Sequence, residues 1–417
     1  MSRPISSPST DPAPPTALHR DTLALHMAVE RSQYGEHSEA LYLSSGFVQP
    51  SAAAAARRFA GEEDGYTYGR SGSPTVTSFE QRLAALEGSP AALATASGMA
   101  AFTLVCFALL KAGDHVVYSQ SMFGSTLKLI GAEFARFGVA STCVPQTDLA
   151  AWRAAIRPET RLLLAETPTN PLTEVCDIAA LADLAHQAGA WLAVDNCLAT
   201  PALQRPLEFG ADIVLHSGTK YLDGQGRVMA GAVCASAELI NQRLLPVQKN
   251  TGMVLSPFNA WVVLKGLETL SLRLRAQSAQ ALALAQWLQA HPAVARVHYP
   301  GLPTHPQHAL AMRQMDGCGG AVLSFELRAG NAEQARARAF HVLDSLQVLS
   351  LCTNLGDTKT LCAHPASTSH GKLSEAQRQS AGIVQGLIRV AVGLEHLPDI
   401  QTDLLRGLDT LDAAPTP

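Results

Sequence analysis

Lys220 sits in Ser217-Gly218-Thr219-Lys220-Tyr221, flanked by two small hydroxyl residues and a glycine. An amine in that setting is suited to forming a Schiff base with an aldehyde, while hydroxyls at 217 and 219 hydrogen-bond a phosphate on the same ligand. Asp195 closes the apolar run Trp191-Leu192-Ala193-Val194. A carboxylate there can keep a pyridine nitrogen protonated, which lets the ring accept electrons. Helix N-capping is the plainer role for an aspartate in that place. Amine, carboxylate and phosphate donors taken together describe one ligand, pyridoxal 5'-phosphate (PLP).

Further residues extend the set. In Ala94-Thr95-Ala96-Ser97-Gly98-Met99-Ala100 a strand-like run passes into an apolar helical run. The N–H groups of Gly98 and Met99 therefore lie at the positive end of a helix dipole, ready for an anion. A glycine in such a turn also has a purely steric explanation. Tyr68 and Arg70, in Tyr66-Thr67-Tyr68-Gly69-Arg70-Ser71-Gly72, offer a hydroxyl and a planar guanidinium fork. That segment also reads as a surface loop. Arg389 is a lone charge inside Leu387-Ile388-Arg389-Val390-Ala391-Val392 and requires an anionic partner, either a substrate carboxylate or a structural salt bridge.

These residues need elements to hold them. Short apolar runs at 115–118, 161–165, 191–194, 212–216 and 232–234 lie between helical patterns. Such alternation predicts an α/β fold with a mostly parallel sheet covered on both faces. Ligands of these sheets gather beyond the carboxyl ends of the strands. Glu166, Asn170, Asp195, Ser217, Thr219 and Lys220 all fall at such ends. A small-residue helix is expected over Ser51–Phe59. A long amphipathic helical region is expected after residue 256, through Leu264 and Leu272 to Leu288. A smaller α+β pattern follows, with strands near Ala321–Phe325, Val348–Leu351 and Leu387–Val392. The expected organisation is a disordered Pro/Ser/Thr-rich tail over 1–17, an N-terminal segment over 18–75, a ligand-binding domain over 76–256 and a C-terminal domain over 257–417.

Composition narrows the function classes. The chain has 417 residues, 47% apolar and 16% charged, with a net charge of −4. That suits a well-buried enzyme and argues against nucleic acid or an acidic membrane surface as a partner. Eight cysteines are scattered without a Cys-x-x-Cys pair, so no zinc site is expected, and they read as buried thiols in a reducing compartment. The N-terminus lacks an apolar core, and no run is long enough to span a bilayer, so a cytoplasmic location is expected. A nicotinamide dehydrogenase would carry Gly-x-Gly-x-x-Gly after its first strand, and Ala96-Ser97-Gly98-Met99 does not supply it.

The chain resembles the cystathionine γ-synthase-like PLP enzymes of cysteine and methionine metabolism, which have the aspartate aminotransferase (type I) fold. The resemblance runs from about residue 40 to 410. It is carried by Tyr68-Gly69-Arg70, Ser97-Gly98-Met99-Ala100, Glu166-Thr167-Pro168-Thr169-Asn170-Pro171, Asp195-Asn196, Ser217-Gly218-Thr219-Lys220-Tyr221, Leu264-Lys265-Gly266-Leu267-Glu268-Thr269-Leu270 and Ile388-Arg389. Within that family the chain is most similar to the branch that joins O-succinylhomoserine to sulfide. Signatures of that branch include Val116–Thr126, Leu255–Trp261, Asn354–Thr360 and His364–Gly371.

The resemblance implies roles. Lys220 would carry the cofactor and shuttle protons, Asp195 would pair with the ring nitrogen, and Asn170 would approach the 3'-oxygen. Gly98, Met99, Ser217 and Thr219 would hold the phosphate. Tyr68 and Arg70 would reach it from a neighbouring subunit, with Tyr68 also helping catalysis, which implies an active dimer and a homotetramer. Arg389, with Asn354 nearby, would bind the substrate carboxylate. Phe123 stands where many relatives stack a tyrosine on the ring, so it would stack without exchanging a proton. Asn354-Leu355-Gly356 replaces the Ser-Leu-Gly of relatives, and both features point to sulfide as nucleophile. Other activities of the family remain as alternatives: cystathionine γ-synthase, O-acetylhomoserine sulfhydrylase and sulfur-amino-acid γ- or β-lyase, with a catalytically silent relative more distant. Arg57 and Arg227 are the guesses for a cation that meets the acyl carboxylate.

Overall fold

The computed structural model describes residues 18–29, 31–371 and 374–411; the expected tail over 1–17 lies outside the described residues. The larger sheet has seven strands: β1 (Ala91–Thr95), β2 (His115–Ser119), β3 (Ala140–Val144), β4 (Thr160–Glu166), β5 (Trp191–Asp195), β6 (Ile213–Ser217) and β7 (Gly231–Ala235). They are ordered β1-β7-β6-β5-β4-β2-β3. Neighbours from β6 to β3 are parallel, and β7 runs antiparallel to both β6 and β1. The reversal follows from chain length. The segment between Ser217 and Gly231 forms a tight turn around Lys220 and has no crossover helix, which a parallel return would require.

The core strands β4, β5 and β6 are near-continuous apolar runs, as expected where both faces are covered. One layer packs Phe102, Leu104 and Val105 of the helix Gly98–Leu109 against Val116, Leu162, Leu164 and Leu215. The opposite layer packs Leu181, Leu184 and Ala185 of the helix Ile178–Gln187 against Val117, Leu163, Leu192 and Val194.

The smaller sheet comprises β8 (Val294–His298), β9 (Val322–Leu327), β10 (Ser350–Leu351), β11 (Leu361–Ala363) and β12 (Leu387–Ala391), ordered β10-β11-β12-β9-β8. The helical region after residue 256 is two helices, Pro257–Leu267 and Leu270–Ala290, with the break at Glu268–Thr269. The small-residue helix runs over Ala52–Ala60, capped by the Ser51 hydroxyl at one end and by left-handed Gly61 at the other. Among the described residues, no helix is long and apolar enough to cross a membrane. The cysteines differ from the expectation in one respect: Cys143 and Cys352 are exposed, and Cys197 and Cys318 are half-buried, while the remaining four are buried.

Candidate active site

Parallel pairing of β4, β5 and β6 delivers three polar strand ends to one side of the sheet. Glu166 lies in register across from Asp195, and Asp195 across from Leu215, two residues before Ser217. The turn at Ser97–Met99 approaches the same edge, because Gly98 has no side chain. A Cβ on Gly98 would lie 2.8 Å from the Cβ of Ser217. Gly356, in the left-handed region with φ +85°, brings a third segment in; a Cβ there would lie 2.6 Å from the Tyr221 nitrogen.

Between these segments lies a cavity of about 570 Å³. Lys220, Asp195, Ser217, Thr219, Gly98, Met99, Phe123, Asn170 and Asn354 all line it. Among the described residues, Lys220 is the only cationic residue in that lining, and no tyrosine lines it. The other residues expected at the site are placed elsewhere in this chain. Tyr68 is half exposed, with the Arg70 guanidinium 5.5 Å from its ring centroid and an Arg70 nitrogen bonded to the Lys249 carbonyl. Arg389 is buried behind the 352–354 segment, where it donates to the carbonyls of Cys352 (3.2 Å), Thr353 (3.4 Å) and Asn354 (2.8 Å). Its Nε has no partner, and no ion pair to a carboxylate forms on it among the described residues. Arg57 and Arg227 do not line the cavity; Arg57 pairs with Glu63, and Arg227 with Asp223. Neither guess for the acyl carboxylate finds support in this chain.

Electrostatics set the protonation of the key groups. Burial pushes the Lys220 ammonium below the ordinary lysine value. Its Nζ donates to Oδ1 of Asn354. Burial pushes the Asp195 carboxyl above the ordinary value, against the stabilising bonds from Cys197; its Oδ1 accepts from the Cys197 N–H at 2.9 Å. The helix-capping alternative for Asp195 is not realised: the next helix, Thr200–Leu203, has Ala199 at its N-cap, and the Asp195 bond goes to the turn at Cys197. Cys197 Sγ in turn accepts from the Ser217 N–H, which ties β5's end to β6's.

Two features of the site went unread in the sequence. Thr126, Cys197, Met229, Thr353, Thr368 and Ser369 complete much of the cavity wall. Behind the strand ends, His216 Nε2 lies 2.6 Å from Glu87 Oε1, which also accepts from Asn196 Nδ2 at 3.0 Å. His216 and Glu87 are fully buried. A histidine and an asparagine adjoining Ser217 and Asp195 in buried strands were a visible signal, but their partner lies more than a hundred residues away.

The residues fit PLP. Asn170 Oδ1 is buried and lacks a protein partner. The first N–H groups of the helix Gly98–Leu109 precede any intrahelical bond and border the cavity beside the hydroxyls of Ser217 and Thr219. The lone amine and the Asp195 carboxyl share the same space.

Comparison with known proteins agrees with this geometry. The family model described as Cys/Met metabolism PLP-dependent enzyme matches residues 21–409. The O-succinylhomoserine sulfhydrylase of Pseudomonas aeruginosa is 53% identical over 94% of this chain and 95% of its own. That of Mycobacterium tuberculosis is 45% identical over 97% and 99%. The crystal structure of cystathionine gamma synthase from Xanthomonas oryzae pv. oryzae, in complex with aminoacrylate and cysteine, is 37% identical, with a TM-score of 0.89 over 95% of this chain and 100% of that one.

Proposed function

We propose that this chain, which belongs to the Cys/Met metabolism PLP-dependent enzymes, replaces the succinyloxy group of O-succinylhomoserine with sulfide, giving homocysteine and succinate. The observation that carries the reading is the composition of the cavity wall, where Lys220 is the one amine and an aromatic without a hydroxyl, Phe123, takes the place of a ring-stacking tyrosine. Identity to two sulfhydrylases over nearly the whole chain supports it.

Lys220 would hold the cofactor's aldehyde carbon through its amine. Asp195 would hold the ring nitrogen's proton, Asn170 would meet the 3'-oxygen, and Phe123 would pack on the ring face. Gly98, Met99, Ser217 and Thr219 take the phosphate. Bound PLP supplies an electron sink that acidifies the substrate's Cα–H and Cβ–H. Lys220 would move those protons as the cavity's base; burial lowers its affinity for protons below that of an ordinary lysine, which favours the free amine. Succinate leaves Cγ with its bonding electron pair, hydrosulfide adds at the same carbon, and Lys220 returns the protons. Phe123 excludes water from one face and contributes no proton.

Arg389 and Asn354 orient the substrate's α-carboxylate. Tyr68 and Arg70 complete the phosphate site of a neighbouring subunit, with Tyr68 assisting Lys220, in a homotetramer built from active dimers. Their exposure in this chain, away from its own cavity, supports that assignment. In the same reading residues 18–75 form the arm that reaches the neighbour, 76–256 the PLP-binding domain and 257–417 the C-terminal domain, in a cytoplasmic enzyme of methionine biosynthesis.

The test is a four-way assay of O-succinyl- and O-acetylhomoserine, each with sulfide and with cysteine. The highest kcat/KM is expected for O-succinylhomoserine with sulfide. Preference for cysteine, with cystathionine as product, or for the acetyl ester would replace this assignment with another within the family.

A further inference from the structure

Glu166 ends β4 directly across from Asp195, and no step above uses its carboxyl group. Its two oxygens face two different segments. Oε2 accepts from the Phe123 N–H at 2.9 Å, and Oε1 from the Asn170 N–H at 3.0 Å. Its carbonyl accepts from the Gln146 side chain. Glu174, at the far end of the same loop, accepts the Ser121 hydroxyl at 2.6 Å. Two acids therefore fasten the loop 166–174 to the segment 121–123. Burial pushes the Glu166 carboxyl well above its ordinary value and the Asp195 carboxylate adds to this, while the two backbone N–H bonds act in the opposite direction. A carboxylate can accept from both donors at once. An amide has one acceptor and would turn an NH₂ toward the other donor.

We propose that Glu166 is a positioning residue that holds the Phe123 and Asn170 backbones at a set spacing and thereby fixes the tilt of the ring between them. The proposal rests on the reading that Phe123 and Asn170 contact the cofactor. Glu166 itself borders the cavity, and its proposed role is exerted through those two residues.

The test uses purified holoenzyme with Glu166→Gln, read by the visible absorbance and visible circular dichroism of the bound cofactor, by steady-state kinetics and by far-UV thermal melting. Loss of one of the two hydrogen bonds, with an NH₂ turned toward the other backbone donor, should weaken cofactor retention by about 10-fold or more and lower kcat by a similar factor. KM should change by less than about threefold, since the substrate's carboxylate site is untouched. The visible dichroism should change as well. A Glu166→Gln enzyme that melts lower yet keeps the parent's visible dichroism and kcat would overturn the proposal in favour of a packing role. Should that variant not fold, Glu174→Gln removes the second fastening of the same loop. It is expected to shift the visible dichroism in the same sense, and a spectrum identical to the parent's would overturn the proposal. A parent enzyme that binds no PLP would instead defeat the reading of the site, so the two failures are distinguishable.

Discussion

The ammonium of Lys220 donates to the side-chain oxygen of Asn354, whose backbone carbonyl accepts from Arg389 at 2.8 Å. One residue thus joins the amine assigned to proton transfer and the cation assigned to the substrate, from segments far apart in the chain. In the proposed reaction both contacts must give way, since the amine leaves to bind the cofactor and the guanidinium turns to an incoming carboxylate.

Arg389→Lys should therefore impair binding more than chemistry. A lysine cannot reproduce a planar fork that bonds two carbonyls while meeting a carboxylate. KM for the amino-acid substrate is expected to rise about 10-fold or more, with kcat changed much less. Steady-state kinetics check this, and an unchanged KM would remove Arg389 from the substrate site.

Lys220→Ala should abolish turnover, since proton transfer by a positioned base contributes roughly 10²–10⁴-fold at each step. Borohydride should bleach the visible absorbance of the parent and fix label at Lys220, and it should do neither in the variant. The sign of the pH effect follows from burial, which lowers the lysine's affinity for protons. More of its amine is free at a given pH, so the rate at which cofactor-free enzyme takes up PLP should level off at a pH below the ordinary lysine value of 10.5. A plateau at or above that value would contradict the assigned environment.

Glu39 supplies a pH-dependent part of the stability. Burial raises its pKa, but hydrogen bonds from Lys265 and Arg82 outweigh that and hold it down to about 2, from an ordinary value of 4.5. A folded-state value below the unfolded one means stabilisation that is present above about pH 4.5 and lost as pH falls toward 2. Denaturant midpoints measured from pH 6 to 3 should fall less steeply in Glu39→Gln than in the parent.

His216→Ala should leave the Glu87 carboxyl buried with only the Asn196 amide as partner. Removing the donor of a buried hydrogen bond and leaving its acceptor short of a partner costs about 1–3 kcal/mol. The chemical-denaturation midpoint of the holoenzyme reports it. The visible spectrum should shift too, because Asn196 and His216 adjoin Asp195 and Ser217. A stability within about 0.5 kcal/mol of the parent would show the pair to be dispensable.

Much of the fold was open to reading because its signals are local. The apolar runs ending at Glu166, Asp195 and Ser217 are short, lie between helical patterns and are followed by polar residues, so strand ends and ligand side could be located from spacing alone. The reversal of β7 and the break between the two helices after residue 256 were not legible. The first depends on what the Lys220 turn leaves of the connecting segment, and the second lies inside a continuous apolar helical pattern, where the nearby Gly266 still belongs to the first helix.

The amino-acid sequence by itself determined which groups are present to do chemistry: an amine, a carboxylate and phosphate donors at the ends of consecutive strands, together with a phenyl ring where a phenol is usual. Only the tertiary structure decided that Glu166 binds Phe123 and Asn170, that Glu87 lies under His216, and that Arg389 sits behind Asn354. Periodicity reports which face of an element is buried, whereas each of these contacts joins residues on separate elements whose approach is set by sheet register and packing, which spacing along the chain does not encode.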